Sequence, residues 1–245
     1  MEVVDMFTQK GQKLCIYYER KQRKEKAMLE DISVKYALFD MDGTLTDTMH
    51  FWMGAANEFL KDEGVALSEE QNARLQSMGV TAGIAYVRSL HISPKTDNYG
   101  IDDVCRILMR HYERESVVKD GVRELLEGLR ERGVKMGVAT LTPAPIARVC
   151  LTTTGLLSYF DFILGGEDYP EGKSTPRIFE DAASRFGCAL CDILLFEDSL
   201  YSIKTANAIG IPVVGVADRF QTAEREEIMA RSVAFFDRGF SVRVK

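Results

Sequence analysis

The sequence predicts an α/β protein: a Rossmann-like parallel sheet with helices on both faces, plus an inserted α-helical cap. Three observations carry that prediction. An apolar, β-prone run, Tyr36-Ala37-Leu38-Phe39, empties into Asp40-Met41-Asp42-Gly43-Thr44. Residues 48–116 then show almost wholly helical periodicity, with no strand-like run between. From residue 117 onward, helical and strand-like segments alternate, the pattern of a parallel sheet whose site lies at the carboxyl ends of its strands. The expected division is therefore a core of residues 34–47 and 117–245, a cap of residues 48–116, and an N-terminal extension of residues 1–33.

The extension stands apart. Its run Tyr18-Glu19-Arg20-Lys21-Gln22-Arg23-Lys24-Glu25-Lys26 is mixed in charge and helix-prone, with few positions fit for a core. A solvated helix or a frayed arm suits it better than a basic docking patch, because glutamates interrupt the positive charge.

Within the cap, Phe51, Trp52, Ala55, Phe59 and Leu60 recur at helical spacing and stop near Gly64. Ser68-Glu69-Glu70-Gln71 has the form of a capping box opening a second helix. Thr81–Leu90 and Ile101–Tyr112 supply two more, separated by a loop over 94–100. In the core, a helix over Gly121–Arg132 ends at Gly133 and precedes a strand over Val134–Thr140. A helix around Ile146–Thr154 leads to a short strand at Asp161–Leu164. A helix at Arg177–Phe186 precedes a strand at Asp192–Glu197, and one at Ser199–Ile209 precedes a strand at Ile211–Val216. Val233–Phe236 adds an edge strand.

Composition narrows the function. The 245 residues are 46% hydrophobic and 28% charged, ordinary for a globular chain, with a formal net charge of -6. That balance repels nucleic acid and anionic lipid. No segment approaches the roughly 18 apolar residues of a membrane span, and the N-terminus lacks a secretory core, so a cytoplasmic protein is expected. Five scattered cysteines fit a reducing compartment. Cys188 and Cys191 have the spacing of half a zinc site, but no second pair accompanies them, and packing is the expected role.

The chemistry begins at Asp40 and Asp42. Near a strand end, residues two apart point the same way, so both carboxylates can face one reacting centre. Carboxylates that close need a cation between them, or one must hold a proton. A plain turn is the competing reading, since Asp and Gly suit turns. A calcium loop fails, because its sixth position would be Leu45 and its twelfth Phe51. Other strands also end in polar groups: Thr140 with Thr142 beyond it, and Glu197-Asp198-Ser199. Gly172-Lys173-Ser174-Thr175-Pro176 opens a helix between them. This is not a nucleotide-binding P-loop, whose first glycine would fall at Glu167.

Taken in order, Asp40-Met41-Asp42-Gly43-Thr44, Thr140, Lys173 with Pro176, and Glu197-Asp198-Ser199 resemble the motifs of the haloacid dehalogenase superfamily. The likeness covers about Val34 to Val216 and is to the branch with a helical cap that holds phosphoglycolate-phosphatase-like and β-phosphoglucomutase-like enzymes. The resemblance implies that Asp40 is the nucleophile forming an aspartyl-phosphate, and Asp42 the general acid and base. It implies Mg²⁺ held by Asp40, the backbone carbonyl of Asp42, Asp198 and Glu197, the last directly or through water. Thr140 would bond phosphoryl oxygens, and Lys173 would balance the charge around nucleophile and phosphate.

The expected function is a Mg²⁺-dependent phosphatase acting on a small phosphorylated metabolite, a sugar phosphate among the candidates. A β-phosphoglucomutase-like mutase is the alternative, and an inactive binding protein with the same fold is the second. The mutase reading loses ground because the cap stretch Gly79-Val80-Thr81-Ala82-Gly83 has alanine where that pattern has arginine. Trp52 also stands in place of that pattern's histidine, with His50 one face away. Arg88 and Lys95 are the remaining candidates for cap cations. Trp52 is expected to overhang the substrate, with a core role as the competing reading. Ser202, where the family often has glycine, is expected to affect packing rather than chemistry. A monomer or weak dimer, with no nucleic-acid or membrane partner, completes the expectation.

Overall fold

A computed structural model of the protein describes residues 2–7, 13–18, 34–76, 78 and 80–237. At the N-terminus, β1 (Glu2–Phe7) and β2 (Lys13–Tyr18) pair antiparallel, Glu2 opposite Tyr18 and Phe7 opposite Lys13. These two stretches therefore depart from the helical expectation for the extension. Their β-branched and aromatic residues, such as Val3, Val4, Ile16 and Tyr17, favour strands. The helix-prone run Glu19–Lys26 lies outside the described residues.

The main sheet opens with β3 (Tyr36–Phe39). Four helices follow: α1 (Met49–Leu60), α2 (Glu69–Gln76), α3 (Val80–Ser89) and α4 (Ile101–Tyr112). At α2 the capping box forms, with Gln71 N donating to Ser68 Oγ at 3.2 Å and Ser68 N donating to Gln71 Oε1 at 2.8 Å. Then come α5 (Val122–Glu131), β4 (Lys135–Ala139), α6 (Ala144–Thr153) and β5 (Phe162–Leu164). The chain continues through α7 (Arg177–Phe186), β6 (Ile193–Glu197), α8 (Leu200–Ala208) and β7 (Val213–Val216). It closes with α9 (Arg225–Arg231) and β8 (Ala234–Phe236). Helix α9 has no counterpart in the sequence reading; it spans only seven residues, mostly charged.

Among the described residues, six strands form one sheet in the order β5-β4-β3-β6-β7-β8, every neighbouring pair parallel. The chain steps outward from β3 to β5, then returns to β6 on the other side of β3. That reversal falls between β3 and β6, and such sheets place their ligands at the carboxyl ends of the strands beside it.

Both faces of the sheet are covered, which explains why its central strands read as continuous apolar runs. Alternate residues serve opposite layers. Ala37, Phe39, Leu194 and Phe196 pack into one cluster with α1, α4, α5 and α6. Leu38, Ile193 and Leu195 pack into the other with α7, α8 and α9. Phe39 and Phe196 stack across neighbouring strands with ring centroids 4.5 Å apart. Phe51, Leu60, Val104, Leu108 and Tyr112 belong to the first cluster, so the helical segment shares a core with the sheet.

Candidate active site

The strand ends bring Asp40, Asp42, Thr140, Glu197 and Asp198 to one edge of the sheet. Asp40 follows β3 directly and its N–H donates to Phe196 O at 2.9 Å, which ties the two carboxylate-bearing loops together. The turn after Asp42 depends on Gly43, whose φ of +91° lies in the region open to glycine. Lys173 comes from a short 3-10 turn, Gly172–Ser174, ahead of α7. Lys173 is almost wholly buried, at 1% exposure. It donates to Asp40 Oδ1 and, at 2.8 Å, to Glu197 Oε2.

Asp40, Glu197 and Asp198 each offer a carboxylate oxygen within 4.8 Å of the other two. Three buried carboxylates thus crowd together, with Lys173 bonded to two of them, and the proton affinities of Asp40 and Asp198 record the crowding. Burial, against the attraction of Lys173 and helped by the charge of Glu197, pushes Asp40 up to about 7. Burial, with the charges of Asp40 and Glu197, pushes Asp198 well above the usual carboxylate range. Burial alone would lower the pKa of Lys173, but its two carboxylate partners raise it and keep it charged.

Among the described residues, one buried side-chain oxygen has no hydrogen-bond partner. Asp198 Oδ1 accepts the Thr44 hydroxyl at 3.0 Å, whereas Asp198 Oδ2 is buried with no hydrogen bond. An unpaired buried carboxylate oxygen is costly. Beside two further carboxylates it fits a small, hard divalent cation, which prefers oxygen ligands. Glu197 is more fully committed: Oε1 accepts Ser199 N–H at 3.0 Å, and Oε2 accepts both Lys173 and, at 2.7 Å, the Ser202 hydroxyl. The last contact adds a hydrogen bond to the packing role expected of Ser202. Its hydroxyl is fully buried and addresses a site carboxylate.

Asp42 stands apart from this cluster and is held by hydroxyls. Its Oδ1 accepts from Thr48 at 2.6 Å and from Tyr112, and its Oδ2 accepts from Thr142 at 2.7 Å. Thr142 N in turn donates to Thr140 Oγ1 at 3.1 Å, placing the buried Thr140 hydroxyl beside the Asp42 loop. Trp52, on α1, is half-buried and donates its indole N–H to Tyr112 OH at 3.0 Å. Its ring also lines a small cavity of about 60 Å³ with Met53, Ala56, Leu75, Ile84 and Tyr99; none of the site carboxylates lines it.

Several contributors escaped the sequence reading. Tyr112 reaches Asp42 from the end of α4, and nothing but a helix-spaced aromatic announces it. Lys119 donates to Gly43 O, to Ala217 O at 2.9 Å and to Asp218 Oδ2 at 2.9 Å, joining the loops after β3 and β7. Thr44, Thr46 and Thr48 did leave a signal: hydroxyls repeating every second residue after the aspartates, all buried.

The chain is similar to known proteins in sequence and in fold. The family model described as haloacid dehalogenase-like hydrolase matches residues 37–216. A phosphoglycolate phosphatase of Nitrosospira multiformis is 31% identical over 187 residues, 73% of this chain and 81% of the relative. A phosphorylated carbohydrates phosphatase of Thermotoga maritima is 28% identical over 71% of this chain and 81% of its own. The crystal structure of CbbY from Rhodobacter sphaeroides, in complex with phosphate, superposes with a TM-score of 0.70 at 22% identity, covering 84% of this chain and 94% of that one. The chain belongs to the haloacid dehalogenase-like hydrolases, in the branch similar to phosphoglycolate phosphatases.

Proposed function

We propose that the protein is a Mg²⁺-dependent phosphatase that hydrolyses a small phosphorylated metabolite through an aspartyl-phosphate on Asp40. The observation that carries this reading is the buried group of Asp40, Glu197 and Asp198 around Lys173, with Asp198 Oδ2 unpaired. The phosphatase names of the relatives agree with it.

In the first half-reaction an Asp40 carboxylate oxygen attacks phosphorus, and the bond from phosphorus to the leaving oxygen breaks. Asp42 gives that oxygen its proton. In the second, Asp42 takes a proton from water, whose oxygen attacks the phosphorus of the aspartyl-phosphate; phosphate leaves and the Asp40 carboxylate returns. Thr140 and Lys173 hold the phosphoryl oxygens, and Lys173 fixes the attacking carboxylate through its bond to Asp40. Asp40 and Asp198, with the Asp42 backbone carbonyl, would hold Mg²⁺, and the heavily bonded Glu197 would support them. Bound there, the cation would offset the carboxylate charge and neutralise charge on the phosphoryl group.

Two observations favour hydrolysis over a mutase. Arg88 Nε donates to Tyr99 O at 2.6 Å, and Lys95 Nζ donates to Phe59 O at 3.0 Å while lying over the Phe59 ring. Both cations thus have partners inside the helical segment, and Ala82 offers no charge for a second phosphate.

Phosphate release from a panel of phosphoglycolate, hexose phosphates, nucleoside monophosphates and pyridoxal phosphate tests the proposal. Release with Mg²⁺ that stops with EDTA is expected for one group of substrates. Interconversion of β-glucose 1-phosphate and glucose 6-phosphate without release would establish the mutase instead. Silence in both assays would leave the binding protein.

A further inference from the structure

Helices α1 and α4 reach the core chemistry through a line of hydrogen bonds. Trp52, from α1, and Tyr112, from α4, meet at the fully buried Tyr112 hydroxyl, which then contacts Asp42 Oδ1. The direction of that line is fixed by valence. An indole N–H can only donate, so it occupies a lone pair of the phenol oxygen. The one phenol proton is thereby left to Asp42, which as a carboxylate can only accept. Thr48 adds a second donor to the same oxygen, and Thr142 holds the other. An ionised carboxylate has about four lone-pair positions, so these three hydroxyls leave about one for reacting partners.

We infer that Tyr112 is a positioning residue for Asp42, oriented by the Trp52 indole, so that the helical segment sets where the acid-base carboxylate points. This rests on the reading of Asp42 as general acid and base. A purely structural account treats Tyr112 as a core residue whose hydroxyl takes the nearest acceptor. The two accounts differ in what loss of the hydroxyl does to different leaving groups. A misdirected acid slows departure of an alkoxide, which needs a proton, and spares that of a nitrophenolate, which does not.

The test compares kcat/KM, which reports transfer to Asp40, for an alkyl phosphate and for p-nitrophenyl phosphate. Tyr112→Phe is expected to lose about tenfold or more on the alkyl substrate and less than about twofold on the aryl one. Trp52→Phe, which keeps an aromatic ring and removes only the N–H donor, is expected to shift the ratio in the same direction by less. It stands in should Tyr112→Phe fail to fold. Trp52 is the chain's one tryptophan, so its fluorescence reads the contact without any turnover. Its emission is expected to shift in Tyr112→Phe. Asp42→Asn separates the two layers of the argument. If it alters the alkyl-to-aryl ratio while Tyr112→Phe and Trp52→Phe do not, the inference is overturned and the acid-base reading stands. If Asp42→Asn leaves the ratio unchanged, the acid-base reading fails and the inference with it. Equal loss on both substrates in Tyr112→Phe would show a structural residue only.

Discussion

Gly43 lies so close to Asp198 that a Cβ at position 43 would sit 2.5 Å from Asp198 Oδ2, the unpaired oxygen of the carboxylate cluster. Space and backbone both call for glycine here, since φ is +91°. Asp198 has little room to withdraw, because Thr44 holds its other oxygen. Gly43→Ala should therefore lower stability by about 1–3 kcal/mol and weaken Mg²⁺ binding. Thermal unfolding and calorimetric titration with Mg²⁺ check both effects. An alanine variant with wild-type Tm and Mg²⁺ affinity would refute the close approach.

Lys119 is expected to matter for stability well beyond a surface lysine. Its partner Asp218 is 1% exposed in its side chain and Lys119 itself 13%, so removing either charge strands the other. Lys119→Met should cost about 3–5 kcal/mol, measured by urea unfolding. The double variant Lys119→Met/Asp218→Asn should recover part of that loss. A double variant less stable than the single would contradict the pairing.

His111 gives stability a pH dependence of known sign. Burial alone would lower its pKa, but hydrogen bonds with Glu58 at 2.6 Å and Glu115 at 3.2 Å raise it above its usual 6.5. A raised folded-state value favours the protonated native protein. The contribution is thus fully present below that usual value and lost as pH rises through the raised one. The Tm gap between wild type and His111→Gln should be wide at about pH 6 and narrow at about pH 9. A gap that grew with pH would contradict the sign.

What the sequence revealed follows strand logic. Asp40, Asp42, Thr140, Glu197 and Asp198 were legible because each ends or closely follows an apolar run, where a parallel sheet collects its chemistry. Lys173 was legible from a glycine-flanked turn opening a helix. Tyr112, Lys119 and Asp218 were not. They reach the site from a helix end and from loops distant in sequence, so no local period marks them. Trp52 illustrates the same limit: its place on a helix face was readable, while its N–H partner, 60 residues on, depends on how α1 and α4 pack. Ser202 looked like a packing substitution because nothing in sequence tells that the first turn of α8 folds back over Glu197.

The proposed chemistry turns on Asp40 as the nucleophile that accepts the phosphoryl group. Turnover by Asp40→Asn, with Mg²⁺ and the best substrate of the panel, tests it most directly. The amide is near-isosteric and relieves one of three crowded carboxylates, so the fold should persist, verified by an unchanged or higher Tm. The account predicts a loss of more than about a thousandfold in kcat, since the nucleophile is gone. A folded Asp40→Asn variant that kept full activity would contradict the aspartyl-phosphate mechanism.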